Sequence, residues 1–234
     1  GVYFTARAQG IKGKTKDGRR LRFGNAHWLW PGDEGTFASC GRPWAHLSNT
    51  PFRKYKHWVH EGGISTPLIA HWPAGMKTGR QGDGETGRFV HTPGHLIDIM
   101  ATAVDLAGAT YPKEVDGRSI KPMEGVSLRP LFVLSSPDPA VSDSPRPIFW
   151  EHEGNRAIRV GEWKLVADNN KPWELYNIAK DRSEQHDLSG QEPERVRKMA
   201  DMWDAYAKRA NVELWDEVHP KKQPKAGKKG KDRK

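Results

Sequence analysis

The sequence predicts a mixed α/β chain that ends in a small antiparallel four-stranded sheet with a C-terminal helix over it. Three observations predict it. Four short apolar or alternating runs, RPIFWEH, RAIRV, EWKLVAD and WELYNI, are separated by Gly154-Asn155, Gly161 and Asp168–Asn170, which favour turns, so they read as a meander. After Pro193, the residues Val196, Met199, Trp203, Tyr206 and Ala210 form one helical stripe that suits a face of that meander. Upstream, TPLIAHWP (Thr66–Pro73) is short, apolar and bounded by proline, as an interior strand would be, and a helical pattern follows it.

That helix is expected to open with Thr92 as its N-cap and Pro93 at the first helical position. Ile97, Met100, Ala101 and Val104 give it an apolar face to lay on a sheet, and Gly108 with Pro112 ends it. Residues 6–50, rich in Gly, Arg, Lys and Trp without a sustained period, read as a loop-dominated insertion. A Gly-rich loop covers 75–87, and prolines and serines from Tyr111 to Pro147 suggest a surface excursion. The chain is therefore divided into residues 1–147, a sheet-and-helix subdomain at 148–215, and a disordered basic tail at 216–234.

With 234 residues, 35% of them hydrophobic, the chain can bury a sizeable core. Its formal charge of +9 is concentrated at the end: residues 221–234 hold eight cations against Asp232 alone. That tail has no large apolar residue to offset its ordering entropy, and it reads as a solubility or nonspecific anion-binding appendage rather than a specific reader of nucleic acid. Cys40 is the single cysteine, which excludes an internal disulfide framework or a thiolate metal cluster. No stretch reads as a membrane span, and the N-terminus GVYFTARAQG lacks the layout of a signal peptide.

The chemistry gathers between Ser48 and Pro73, where Arg53, Lys54, Lys56, His57, His60 and Glu61 precede Gly62-Gly63. Three readings compete. A zinc site would draw on His57, His60 and His71, although the helical two-histidine motif spaces its ligands four apart rather than three. A solvated basic turn leaves the two glycines unexplained, since glycine permits a close backbone approach. A lysine beside a Gly-Gly turn at a sheet edge suits anion recognition, because an ammonium is a compact point charge with three donors.

KHWVHEGGISTPLIAHWPAG (56–75) resembles the sulfatase family, in which a lysine five residues before the Glu of an E-G-G-x-x-x-P loop contacts the substrate's sulfate. GHLIDIMATAVDLAGA, EGVSLRPLF and RPIFWEHEGNRAIRVGEWKLV with WELYNIAKDRSEQHDL follow in the family's order, so the similarity runs over about residues 15–215. The resemblance implies the C-terminal part of an alkaline phosphatase-like sulfatase core over residues 1–147, with the family's C-terminal subdomain after it. It implies Lys56 as the sulfate-contacting, catalytic lysine, with His152 and Asn155 in EHEGNR as substrate-binding candidates at the mouth of the site. For Trp58, Trp72 and Trp150, burial is expected over stacking on a substrate ring.

Two departures stand out. Ser65 occupies the place where many sulfatases carry an arginine that braces the turn. The family's calcium ion and its formylglycine nucleophile, made from the Cys of C-x-P-x-R, find no match: CGRPW at Cys40–Trp44 is out of register, and FTARAQG puts Arg7 and Ala8 where Asp and Asn are required. The expectation is that this chain holds no metal ligand set and that its partner is a missing N-terminal half of the same polypeptide. The implied reaction is sulfate-ester hydrolysis on a sulfated small molecule or polysaccharide, in the periplasm or outside the cell. An inactive anion- or polysaccharide-binding fragment, or a phosphatase or phosphonate hydrolase relative, are the alternatives.

Overall fold

The computed structural model describes residues 13–24, 28–30, 32–37, 41–72, 75–76, 89–133 and 146–220. Arg7, Ala8, Cys40, most of the Gly-rich loop and the basic tail from Lys221 lie outside the described residues. In chain order the elements are β1 (Arg22–Phe23), β2 (Thr36–Phe37), α1 (Arg42–Ser48), α2 (Glu61–Ile64), α3 (Ile97–Leu106), β3 (Glu114–Val115), β4 (Arg118–Ser119), α4 (Pro130–Val133), β5 (Ile148–His152), β6 (Asn155–Val160), β7 (Trp163–Ala167), β8 (Glu174–Asn177), α5 (Pro193–Ala210) and α6 (Trp215–Val218). They group into two compact units, Gly1–Ser65 with Phe149–Lys234, and Thr66–Ile148. Contacts thus cross the boundary that the sequence suggests at 147/148, because the stretch before Ser65 packs on the sheet after Phe149.

In the first unit the meander forms as expected, with strand order β5-β6-β7-β8. β6 and β7 pair antiparallel through Ala157 with Val166 and Ile158 with Leu165, and β7 pairs with β8 through Leu165 with Leu175. The turn between β5 and β6 uses Glu153 and Gly154, at φ +53° and +80°, rather than Gly154-Asn155. A two-residue hairpin turn of this hand needs positive φ at both positions, and Asn155 is left to open β6.

Side chains of a strand alternate between faces, and in this sheet both faces are covered. Ile158, Leu165 and Leu175 meet Met199 and Trp203 of α5. Ala157, Val166 and Tyr176 face the other way and pack with Val59 and Ile178, with Ile64 and Trp150 at the margin. This double burial explains why the strands read as near-continuous apolar runs. The helix stripe is core for most of its length, with Tyr206 stacked on Phe149 at 4.4 Å, while Ala210 at its end is exposed. Pro193 sits in the first turn and Asn211 closes α5 in a left-handed conformation, so propensity and capping agree with packing.

The second unit departs from expectation in three ways. Thr66–Trp72 forms no strand, and Leu68 and Ile69 are 63% and 88% exposed, since no strand among the described residues pairs with this run. Trp72 is likewise exposed rather than buried. The helix begins at Ile97, not after Thr92, because the carboxylate of Asp98 takes up the backbone N–H of His95 at 2.8 Å. Its buried side carries Ala101, as expected, but also the polar Asp98 and Thr102. Asp98 accepts further bonds from the Val126 N–H and from both ends of the Arg146 guanidinium, while Thr102 Oγ1 accepts the Leu128 N–H. These bonds hold α3 to the 126–128 segment, and Ile97 and Met100 stay exposed.

Trp203→Ala should unfold the first unit about 3–5 kcal/mol more easily, because it empties the contact between α5 and the sheet. Urea titration followed by far-ultraviolet circular dichroism measures the loss.

Candidate anion-binding loop

Residues 53–65 form a tight knot whose glycines are dictated by backbone proximity. The Gly62 N–H donates to the Arg53 carbonyl at 2.9 Å, and a Cβ on Gly62 would collide with the carbonyls of Arg53 and Lys54. A Cβ on Gly63 would collide with the carbonyl of Trp58. The close approach that Gly62-Gly63 permits is thus to the chain's own preceding turn. Tyr55 and Val59 are buried beneath that turn, and Trp58 packs edge-on against Tyr55 at 4.8 Å.

The knot is fastened to the sheet by charges. Lys164 of β7 is fully buried, with its Nζ 2.9 Å from Glu61 Oε1 and 2.8 Å from Glu184 Oε1. Glu184 also accepts the Glu61 N–H at 2.8 Å, so one carboxylate satisfies the start of α2 and half-neutralises the same ammonium. Burial alone would raise the Glu61 pKa, but the ammonium of Lys164 outweighs it and holds that carboxyl below its ordinary value. Arg182 takes the role left open by Ser65: its guanidinium reaches Ser65 Oγ at 2.9 Å and Glu61 Oε2 at 3.5 Å.

A second cluster lies beside it. The fully buried His60 imidazole sets Nε2 at 3.2 Å from Glu174 Oε2, and Nδ1 stands 3.8 Å from Asp168 Oδ1. Tyr176 donates to Glu174 at 2.7 Å, and Arg53 donates to the Tyr176 oxygen and to the Glu184 carbonyl, each at 2.8 Å. The hydrogen bond from His60, then that from Tyr176, hold Glu174 down to about 2 against the cost of burial. Burial and the neighbouring Glu174 push the Tyr176 hydroxyl up.

The cations of the opening stretch are therefore sorted. Arg53 is tied to β8, and Lys54, at φ +63°, grips both oxygens of Asp168 at 2.6 and 2.8 Å. Sequence reasoning leaves Lys54 screened by solvent; the structure instead makes it a half-buried anchor. Lys56 is exposed and, among the described residues, has neither hydrogen bond nor ion pair.

His57 and His60 do not converge, since His60 turns inward. His57 instead meets His152 and Glu153. Asn155 is buried, and its amide is fully occupied in holding loops: Nδ2 donates to the His57 and His152 carbonyls, each at 2.9 Å, and Oδ1 accepts the Asn169 N–H at 3.1 Å. It positions His57 and His152 rather than reaching outward. Lys164 carried a legible sign, being a charge within an apolar alternating strand, whereas Arg182 and Glu184 sit in an irregular connection with no period to mark them.

No family model matches the chain. Curated relatives do. An uncharacterized sulfatase of Schizosaccharomyces pombe is 28% identical over 186 residues, covering 77% of this chain and 32% of the relative. Arylsulfatase K of Danio rerio is 31% identical over 150 residues, 60% of this chain and 25% of that protein. N-acetylgalactosamine-6-sulfatase of Sus scrofa is 32% identical over 143 residues. This chain is a sulfatase relative. It spans about a quarter to a third of the length of these curated relatives. Among solved structures, the crystal structure of Ps i-CgsB superposes with a TM-score of 0.53 at 27% identity, over 69% of this chain and 34% of that one.

The low Glu174 value makes this cluster acid-sensitive. Because the folded value lies below the ordinary 4.5, its stabilisation is complete above about pH 4.5 and fades as pH falls toward about 2. Denaturant titrations across that window should show stability falling, and Glu174→Gln should flatten part of the fall.

Proposed function

We propose that this chain supplies the sulfate-contacting loop and the C-terminal subdomain of an alkaline phosphatase-like sulfatase, and that Lys56 contacts the sulfate of the substrate. One observation carries the reading: in a stretch where Arg53 and Lys54 are committed to carboxylates of the sheet, Lys56 keeps an uncommitted, exposed ammonium at the family's offset from Glu61. Sulfate-ester cleavage leaves charge on the nonbridging oxygens and on the departing alcohol or phenol, and a fixed cation beside those oxygens stabilises it. The bracing of Gly62-Gly63 by Lys164, Glu184 and Arg182 fixes the turn from which Lys56 projects, so only its side chain is left to be ordered by the sulfate.

The family's calcium ion does not fit the described residues. Calcium takes six to eight oxygen ligands, and the group of three ligating side chains formed by His57, His152 and Glu153 offers one carboxylate. The formylglycine precursor has no in-register counterpart either, and the roles of Lys56 and its neighbours run through neither group. The substrate class that suits the reading is a sulfated saccharide or aryl sulfate met in the periplasm or outside the cell. Among the described residues, no helix is long and apolar enough to cross a membrane.

In a sulfatase polypeptide carrying this segment, Lys56→Ala should lower kcat/KM for an aryl sulfate by about ten- to a hundredfold, the worth of a charge-assisted hydrogen bond. Lys54→Ala should instead lower stability, through the loss of Asp168's partner. Unchanged kcat/KM in Lys56→Ala, with folding confirmed by circular dichroism, overturns the assignment. Hydrolysis of the corresponding phosphate ester in preference to the sulfate would favour the phosphatase relative.

A further inference from the structure

One group of side chains is left unused by the sulfate reading. His57, from the loop before α2, and His152 with Glu153, from the turn between β5 and β6, each place a ligand atom within 4.8 Å of the other two. We propose that these three residues form a binding site for a divalent transition-metal ion of the zinc type. The proposal does not rest on the sulfatase reading.

The donor set is two imidazoles and one carboxylate. That combination suits zinc and its neighbours, and it is the set of open sites in which three protein ligands leave a position for water or another ligand. Ligand atoms about 2.0–2.2 Å from a tetrahedral zinc lie about 3.4 Å apart, so the widest present spacing of at most 4.8 Å closes by about 1.4 Å through side-chain torsions of the exposed His152, while the His57–Glu153 pair opens slightly. His57 Nδ1 and Glu153 Oε2 are already 2.7 Å apart, sharing a proton that a metal would displace.

The backbone holds the ligands in advance. His57 and His152 are far apart in sequence, yet both their carbonyls accept from the single side-chain amide of Asn155, which is itself fixed by Asn169. His57 and Glu153 both adopt positive φ, +102° and +53°, and their side chains meet between the loop before α2 and the β5–β6 turn. The two imidazole rings lie 5.8 Å apart, tilted by 34°. His152 and Glu153 also line an open surface depression with Trp215 and His219, which leaves an approach for an ion.

The test uses the tag-free chain, stripped with chelator and titrated with Zn²⁺ by calorimetry and with Co²⁺ by visible absorption. The expected result is one saturable equivalent, with the intense cobalt bands of a four- or five-coordinate site. His57→Asn, chosen because asparagine tolerates positive φ, and His152→Ala, at an exposed position, should each weaken binding by more than the roughly tenfold that an outer-shell partner is worth. His186→Ala, an exposed histidine elsewhere on the unit, should leave binding unchanged. Absence of saturable binding, weak six-coordinate cobalt bands, or binding that survives the His57→Asn/His152→Ala double variant would overturn the proposal.

Discussion

The buried ammonium of Lys164 is the interaction on which the rest of the arrangement depends. A charge with no exposure to water is tolerated only with partners at hydrogen-bond distance, and Lys164 has two, Glu61 and Glu184. One lies at the head of the glycine turn and the other in the connection after β8, so a single strand residue fixes two irregular segments. Arg182 adds a second cation on Glu61 from the same connection. The glycine turn is thereby held by the sheet rather than by any regular structure of its own, which a helix of four residues could not supply.

Seen from that anchor, the dense charge between Arg53 and Glu61 divides by task. Arg53, Lys54 and His60 reach Tyr176, Asp168 and Glu174, and the Glu61 carboxylate accepts from the Lys164 ammonium. Lys56 and His57 make none of these contacts: one has an exposed ammonium and the other stands beside His152 and Glu153. A structural set thus supports a displayed set, and Lys54 and His57, one from each, both adopt positive φ.

The meander and its covering helix were legible in the sequence because each strand is short, bounded by turn residues and closed by local pairing, and because the α5 stripe keeps one face. Thr66–Trp72 and the start of α3 were not. An apolar run is a strand only if another strand meets it, and the polar burial of Asp98 depends on Arg146, distant in sequence. At the site, the family's spacing singled out Lys56, but nothing local revealed that Asp168 would claim Lys54 or that Asn155 would face inward. Those outcomes rest on partners roughly a hundred residues away, which no window of sequence contains.

The central claim is that Lys164 holds the glycine turn in place, and native-state hydrogen exchange of Lys164→Met tests it most directly. Methionine keeps the volume while removing the charge, leaving Glu61 and Glu184 buried without a cation, a loss on the order of 3–5 kcal/mol. The account predicts that the Gly62, Gly63 and Ser65 amides, bonded to Arg53, His60 and Glu61, lose protection while the β6–β7 amides keep theirs relative to global unfolding. Unchanged protection of those three amides in a folded Lys164→Met chain would contradict it.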